Sequence, residues 1–327
     1  MDILVGRQKQ FILQNKCVRG LNFTVELIHG TLNTDLVLAD LLPENIIIGM
    51  TLVRGGQNMV VMNPANLRIL HLDSTFYRAN WNKIAPNVAT LANWTEIVQK
   101  GAAAYNKRIV ELAFDFHGCY DLTGTDELIV DINFQSNAVS ASADTNSKLV
   151  VTENIDDFGF EKFTPFFNIK QIQPGESTFQ DSYNNLKELR IINLDKTSML
   201  YSAAPVTQAS LTSELASYVD VYSTMLTKRV NSFFNQAECD ARTQCFDLYN
   251  GDIARTANLN LTLASTNINS NKNYIVSRLA YQDARLFNLY QAKVAADSLQ
   301  AAADSGVPIP NNQIAQVSQA ISNNTVN

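Results

Sequence analysis

The chain has 327 residues, of which 46% are hydrophobic and 17% charged, with a net charge of −6 at pH 7. That length suits two domains of ordinary size with a core each, and the composition is that of a folded protein. The balance excludes a basic footprint for sequence-specific nucleic-acid binding, no run approaches the roughly 20 apolar residues of a spanning helix, and four cysteines without a CxxC spacing predict free thiols.

The first stretch, "MDILVGRQKQFILQNKCVRG", carries Arg7, Lys9, Lys16 and Arg19 against Asp2. It is expected to form a separate N-terminal segment, residues 1–20, that is either a solvated terminus or faces anionic phosphate or lipid. "DILVG" is too short for the apolar region of a signal peptide, which predicts synthesis in the cytoplasm.

"NFTVELIHG" then alternates Phe23, Val25 and Leu27 as a half-buried strand does. "NIIIGMTLV", the glycine pair Gly55 and Gly56, and "MVVM" read as a hairpin, and Asn63-Pro64 marks a turn before "LRILHL". Val88, Leu91, Trp94, Ile97 and Val98 recur at helical spacing and predict a helix over Val88–Tyr105. Strands return in "KRIVELAFDF", where Val110, Leu112, Phe114 and Phe116 share one side, and in "ELIVDINFQS", where Leu128, Val130, Ile132 and Phe134 do. A polar loop, "NAVSASADTNS", precedes "KLVV".

"NIKQIQPGESTFQDSYNN", centred on Pro174-Gly175, reads as the linker between two halves. Beyond it "LKELRIINL" and "SMLYSAAPV" read as strands. Leu211, Leu215, Val219, Tyr222, Leu226, Val230 and Phe233 predict a helix over Ser210–Phe234. "ANLNLTLAS" alternates Leu259, Leu261 and Leu263 against Asn258, Asn260 and Thr262, and a polar loop separates it from "YIVSRLAY". An Ala-rich stretch from Asp283 predicts a C-terminal helix, and the tail after Ser305 has no charged residue. The order of events repeats, and so do two local matches. "HGCYDLTG" and "QCFDLYNG" set Cys119 and Cys245 126 residues apart, and "KLVV" and "YIVS" set Leu149 and Ile275 at the same offset. The chain therefore contains one structural unit twice.

Chemistry is sparse. His29, His71 and His117 are the only histidines. His117 and Cys119 would share a strand face and could reach a metal with His71, but no second ligand pair supports this, and packing is the simpler reading. A Cys119 nucleophile beside His117 lacks any orienting motif. Glu153, Asp156 and Asp157 could bind Ca²⁺ but lack EF-hand spacing, so a solvated acidic loop is preferred. The single "RGG" reads as a turn. The aromatic run Phe158, Phe160, Phe163, Phe166 and Phe167 reads as core where two barrels meet, or else as a contact surface. No catalytic, cofactor-binding or metal residue is assigned, no cofactor is expected, and the chain is not expected to be an enzyme.

Two antiparallel β units in tandem, carried by "KRIVELAFDF" with "DELIVDINFQS…KLVV" and by "ANLNLTLAST…NYIVSRLAY", resemble the double jelly-roll major capsid proteins of membrane-containing icosahedral phages, of the corticovirus-like and Flavobacterium-phage-like types. The resemblance implies a mainly all-β chain of two consecutive eight-stranded jelly-roll barrels, with a few inserted helices and a C-terminal helix. The barrels would occupy residues 21–170 and 171–285, and the helix and polar tail 286–327. It further implies homotrimers with six similar barrels that tile an icosahedral virion shell over an internal membrane. Minor capsid, vertex and membrane proteins would be partners, with the N-terminal segment toward the membrane. The alternatives are a carbohydrate-binding or cupin-like paired jelly roll and a trimeric phage spike. Cupins keep several histidines per barrel, whereas no histidine follows residue 171; a sugar binder would expose tryptophan, and only Trp81 and Trp94 exist; spikes commonly carry repetitive shafts, absent here.

Overall fold

The structure, a computed structural model, describes residues 6–13, 16–28, 41–75, 95–100, 106–122, 124–141, 143, 146–156, 163–173, 175–195, 206–215, 217–222, 243–247, 253–263, 271–282 and 304. In the first half, β1 (Gly6–Leu13), β7 (Glu127–Phe134), β3 (Ile46–Arg54) and β4 (Gln57–Asn66) pair in that order. A second sheet runs β5 (Thr95–Lys100), β6 (Asn106–Leu122), β2 (Lys16–Ile28), β8 (Lys148–Asp156). Apart from the β3–β4 and β5–β6 hairpins, every connection between these strands passes from one sheet to the other, which makes the two sheets opposite walls of a jelly roll. Period-two alternation fills it. Phe23, Val25 and Leu27, Ile46, Ile48 and Met50, Val110, Leu112 and Phe114, and Leu128, Val130 and Ile132 all enter one core. At the β3–β4 turn Gly55 and Gly56 have φ of 55° and 78°, the left-handed pair that a tight hairpin turn of this hand requires.

β2 carries an irregularity between Val18 and Gly20 in both of its ladders. A Cβ on Gly20 would lie 2.7 Å from the Phe114 carbonyl oxygen. Gly20→Ala is therefore expected to push β2 off β6 at a cost of about 1–3 kcal/mol in urea unfolding. At Gly49 the nearest atom to an added Cβ is 3.8 Å away, so Gly49→Ala should leave the midpoint nearly unchanged. Equal effects at the two glycines would refute the argument.

In the second half the order is β9 (Phe163–Gln171), β15 (Asn271–Gln282), β10 (Thr178–Asp195), β14 (Ala254–Leu263), β11 (Val206–Ser213), β12 (Ser217–Tyr222), with β13 (Thr243–Asp247) also on β10. β10 serves two groups. Its first part, to Leu186, pairs with β14; its second part pairs with β15 on one edge and β13 on the other. The change falls at a register shift beside Asn185, whose φ of 57° is a left-handed conformation that asparagine tolerates. The groups β10-β14-β11-β12 and β9-β15-β10-β13 thus reproduce the four-on-four plan of a jelly roll around a second core that contains Leu189, Ile191, Leu211, Leu259, Leu261 and Ile275.

The repeat now has a structural meaning. Cys119 lies in β6 and Cys245 in β13; Leu149 lies in β8 and Ile275 in β15. β6 and β8 flank β2 as β13 and β15 flank β10, so the common offset marks equivalent strands.

Several expectations are corrected. Where a helix over Val88–Tyr105 is predicted, residues 95–100 form β5, because the β-branched Thr95, Ile97 and Val98 pair along the β6 edge; residues 88–94 and 101–105 lie outside the described residues. Where a helix over Ser210–Phe234 is predicted, β11 and β12 pair instead, which buries Leu211 against the second core and leaves Leu215 in the turn 40% exposed. Residues 223–234, the predicted C-terminal helix and the tail after Ser305 lie outside the described residues. Residues 6–13 are not a segment apart from the barrel, since β1 pairs with β7 along its whole length. Most of the stretch read as a linker is strand, and residues 172–177 connect β9 to β10 within the second half. "LRILHLDST" is helix α1 (Leu67–Thr75).

Candidate functional site: the joint between the halves

α1 begins where Asn66 Oδ1 accepts a hydrogen bond from the Ile69 backbone N–H at 2.9 Å, the geometry of an N-cap. Its faces then divide. Leu67 and Leu70 enter the first core, while Ile69 and Leu72 pack on Ile192, Leu194, Tyr274 and Val276 from the outer face of β10 and β15. A third face closes a sheet edge. β5 stops opposite Glu111, and beyond it the Ala113 N–H donates to His71 Nδ1 at 3.0 Å and the Asp115 N–H to Ser74 Oγ at 2.7 Å. Two backbone donors of β6 beyond the described part of β5 are thereby satisfied by α1.

Because side chains alternate, the residues of β10 that face away from the second core are Arg190, Ile192 and Leu194, and those of β15 are Val276 and Arg278. Both arginines are buried, and Asp73 of α1 meets them. Arg190 Nη1 lies 2.9 Å from Asp73 Oδ1 as an ion pair, and its guanidinium also donates to the Asp73 carbonyl oxygen. Arg278 Nη2 donates to Asp73 Oδ2 and, at 3.3 Å, to the Asp115 carbonyl oxygen of β6. Glu188 completes the group, accepting from Arg190 Nη2 at 2.8 Å and from Arg278 Nη1 at 3.1 Å. Two carboxylates and two guanidiniums balance. Burial holds the Asp73 carboxyl above the usual carboxylate range, an effect that the two guanidiniums only partly offset. An apolar junction holds a charge here only because its partners are fixed.

β9 supplies the aromatic part of the joint. It pairs with β15 throughout and touches β4 through a bridge between Met62 and Phe167. The Phe167 ring sits 4.9 Å from Phe114 and 6.0 Å from Phe116, and the Arg278 guanidinium carbon lies 5.3 Å over it. Tyr120 of β6 donates to the Pro165 carbonyl oxygen at 2.7 Å, and burial pushes its phenol well above its ordinary value.

Of the residues singled out in the sequence, Phe166 and Phe167 lie in this joint, which fits the reading of a core where barrels meet; Phe158 and Phe160 lie outside the described residues. His71 is a buried acceptor for β6, and Cys119 packs against Cys17, both as free buried thiols. No three potential metal ligands come together among the described residues. Glu153 and Asp156 lie in β8, not in a loop, and Asp157, His29, Trp81 and Trp94 lie outside the described residues. Arg7 is engaged with Asp131 of β7, and that hydrogen bond holds the Asp131 carboxyl below the usual range. The ionic group of the joint was not foreseen. Its one sequence signal is the placing of Glu188 and Arg190 inside the apolar run "LKELRIINL", charges that burial on both strand faces would have to pair.

No known protein family matches the sequence, and no curated protein does. Solved structures do match in fold. The Sulfolobus turreted icosahedral virus (STIV) major capsid protein matches with a TM-score of 0.56 at 13% identity, over 85% of this chain and 92% of that one. The atomic structure of the same virus contains a chain matching with a TM-score of 0.52 at 14% identity, over 98% and 93%. The major capsid protein P2 of bacteriophage PM2 matches with a TM-score of 0.49 at 10% identity, over 86% and 94%.

Proposed function

From the premise of a mainly-β double jelly roll with the fold of viral major capsid proteins, we propose that this chain is a structural capsid subunit and that its function is geometric. The observation that carries the reading is the joint. Two barrels that met through a flexible linker could turn against each other, whereas here α1, Phe167 and the Asp73–Arg190–Glu188–Arg278 group tie them across buried contacts. A rigid pair of similar barrels lets three chains present six similar barrels, which suits a hexagonal lattice site. The proposal includes homotrimers that tile a virion shell, made in the host cytoplasm, with an internal membrane and minor and vertex proteins as partners. It divides the barrels between β8 and β9, over residues 157–162, because β9 pairs with β15 along its length. Membrane contact through the N-terminal segment is left out, since Arg7 is bound to Asp131 and β1 is part of a sheet.

The test is the native mass of the full chain by light scattering over a range of concentration and salt. A stable trimer that goes on to form sheets or shells is the expected result. A monomer under every condition overturns the proposal.

A further inference from the structure

The outer face of the β10-β14-β11 group has an unusual composition. Cross-strand register sets Thr178, Thr262 and Gln208 in one row, Gln180, Asn260 and Ser210 in the next, and Ser182, Asn258 and Thr212 in a third. Seven of these nine side chains are exposed and two are half-buried, and none is charged. The alternate residues of β14, Leu259 and Leu261, fill the second core, so this face is the solvent side of a well-seated sheet. A soluble surface carries about 25–35% charged residues, so two or three of nine would be ordinary here. At the rim, Glu214 of the β11–β12 turn accepts from the Thr256 backbone N–H. An open groove here is lined by Gln180, Asp181, Ser182, Asn258, Leu259 and Asn260; the Asp181 carboxylate is paired with Lys170 at 2.7 Å, and Ser182 Oγ hydrogen-bonds to Asn258 Oδ1 at 2.7 Å.

We propose that this face is a contact surface for a second copy of the chain. Depletion of charged residues is one mark of the centre of a protein–protein interface. The occupant follows from charge. A chain of net −6 repels its own kind over most of its surface and can lay face on face at lowest cost where neither side carries charge. Amides and hydroxyls are donors and acceptors together, so such a face is complementary to another of its own type. Three strands about 4.8 Å apart, with rows about 7 Å apart, give a patch roughly 15 Å across, the centre of a standard interface and not its whole area. The inference rests on the capsid reading and deepens it by naming a surface through which copies meet.

Sedimentation velocity of the full chain over a concentration series tests it, with wild type compared with Ser182→Glu/Asn260→Glu. Both sites are exposed, so melting temperature should hold, while half-association should need at least about tenfold more protein. Thr178→Lys/Thr212→Lys, on the outer rows, should act in the same direction, and Ser182→Thr/Asn260→Gln should associate as wild type. Charged variants that associate normally overturn this inference and leave the capsid reading standing. A wild type that never associates overturns both. Binding of a soluble oligosaccharide that the charged variants lose, with association unchanged, also overturns it and makes the face a glycan site.

Discussion

Replacing Asp73 with Ala is expected to lower the free energy of unfolding by about 3–5 kcal/mol. The variant removes one carboxylate from the group and leaves Arg190 and Arg278, 1% and 2% exposed, with Glu188 as the carboxylate that still pairs with both. Asp73 offsets the desolvation of those buried guanidiniums, and its removal leaves that cost uncompensated. Urea is the denaturant of choice because guanidinium salt would screen the charges. The exposed pair is the control: Arg7 is 69% exposed, so Asp131→Ala should change stability by less than about 1 kcal/mol. A loss at Asp73 no greater than the loss at Asp131 would show that the buried group does not hold the joint.

Phe167→Ala should cost about 3–5 kcal/mol, through a cavity next to Phe114 and Phe116 that rigid strands cannot close. Phe166, half-buried and edge-on to the exposed Tyr281, should cost less. The two large effects should not be independent. Asp73 and Phe167 both contact Arg278, one through a salt bridge and one through its ring face, so the double variant should fall short of the sum by about 0.5–3 kcal/mol. Strict additivity would mean that the ionic and aromatic parts act as separate contacts and not as one joint.

The strands that line the two cores were legible because burial on one face imposes a period of two that any reader can count. Phe23, Val25 and Leu27 and the Leu259, Leu261 and Leu263 series occupy the faces that the sequence assigned them. The duplicated offset was legible for the same reason, since equivalent strands keep equivalent patterns. The two helix expectations failed at segments where apolar residues happened to recur at three and four. Thr95 to Lys100 and Val206 to Tyr222 were decided by the strand edges available to pair with them, β6 and β14, and those edges are distant in sequence. α1 was missed in the opposite sense: nine residues are too few to display helical periodicity against flanking strands.

By itself, then, the sequence determined that this protein is built twice over from alternating strands around two apolar cores, because that information is local and repeats every second residue. Only the tertiary structure decided how the two units are locked together. The joint is made by Asp73, Asp115, Phe167, Glu188, Arg190 and Arg278, residues up to 205 positions apart whose charges are tolerable only in one another's company. No local pattern encodes such a group, since each member alone reads as a surface charge or a core ring, and it is their meeting in a buried junction that ties the two units together.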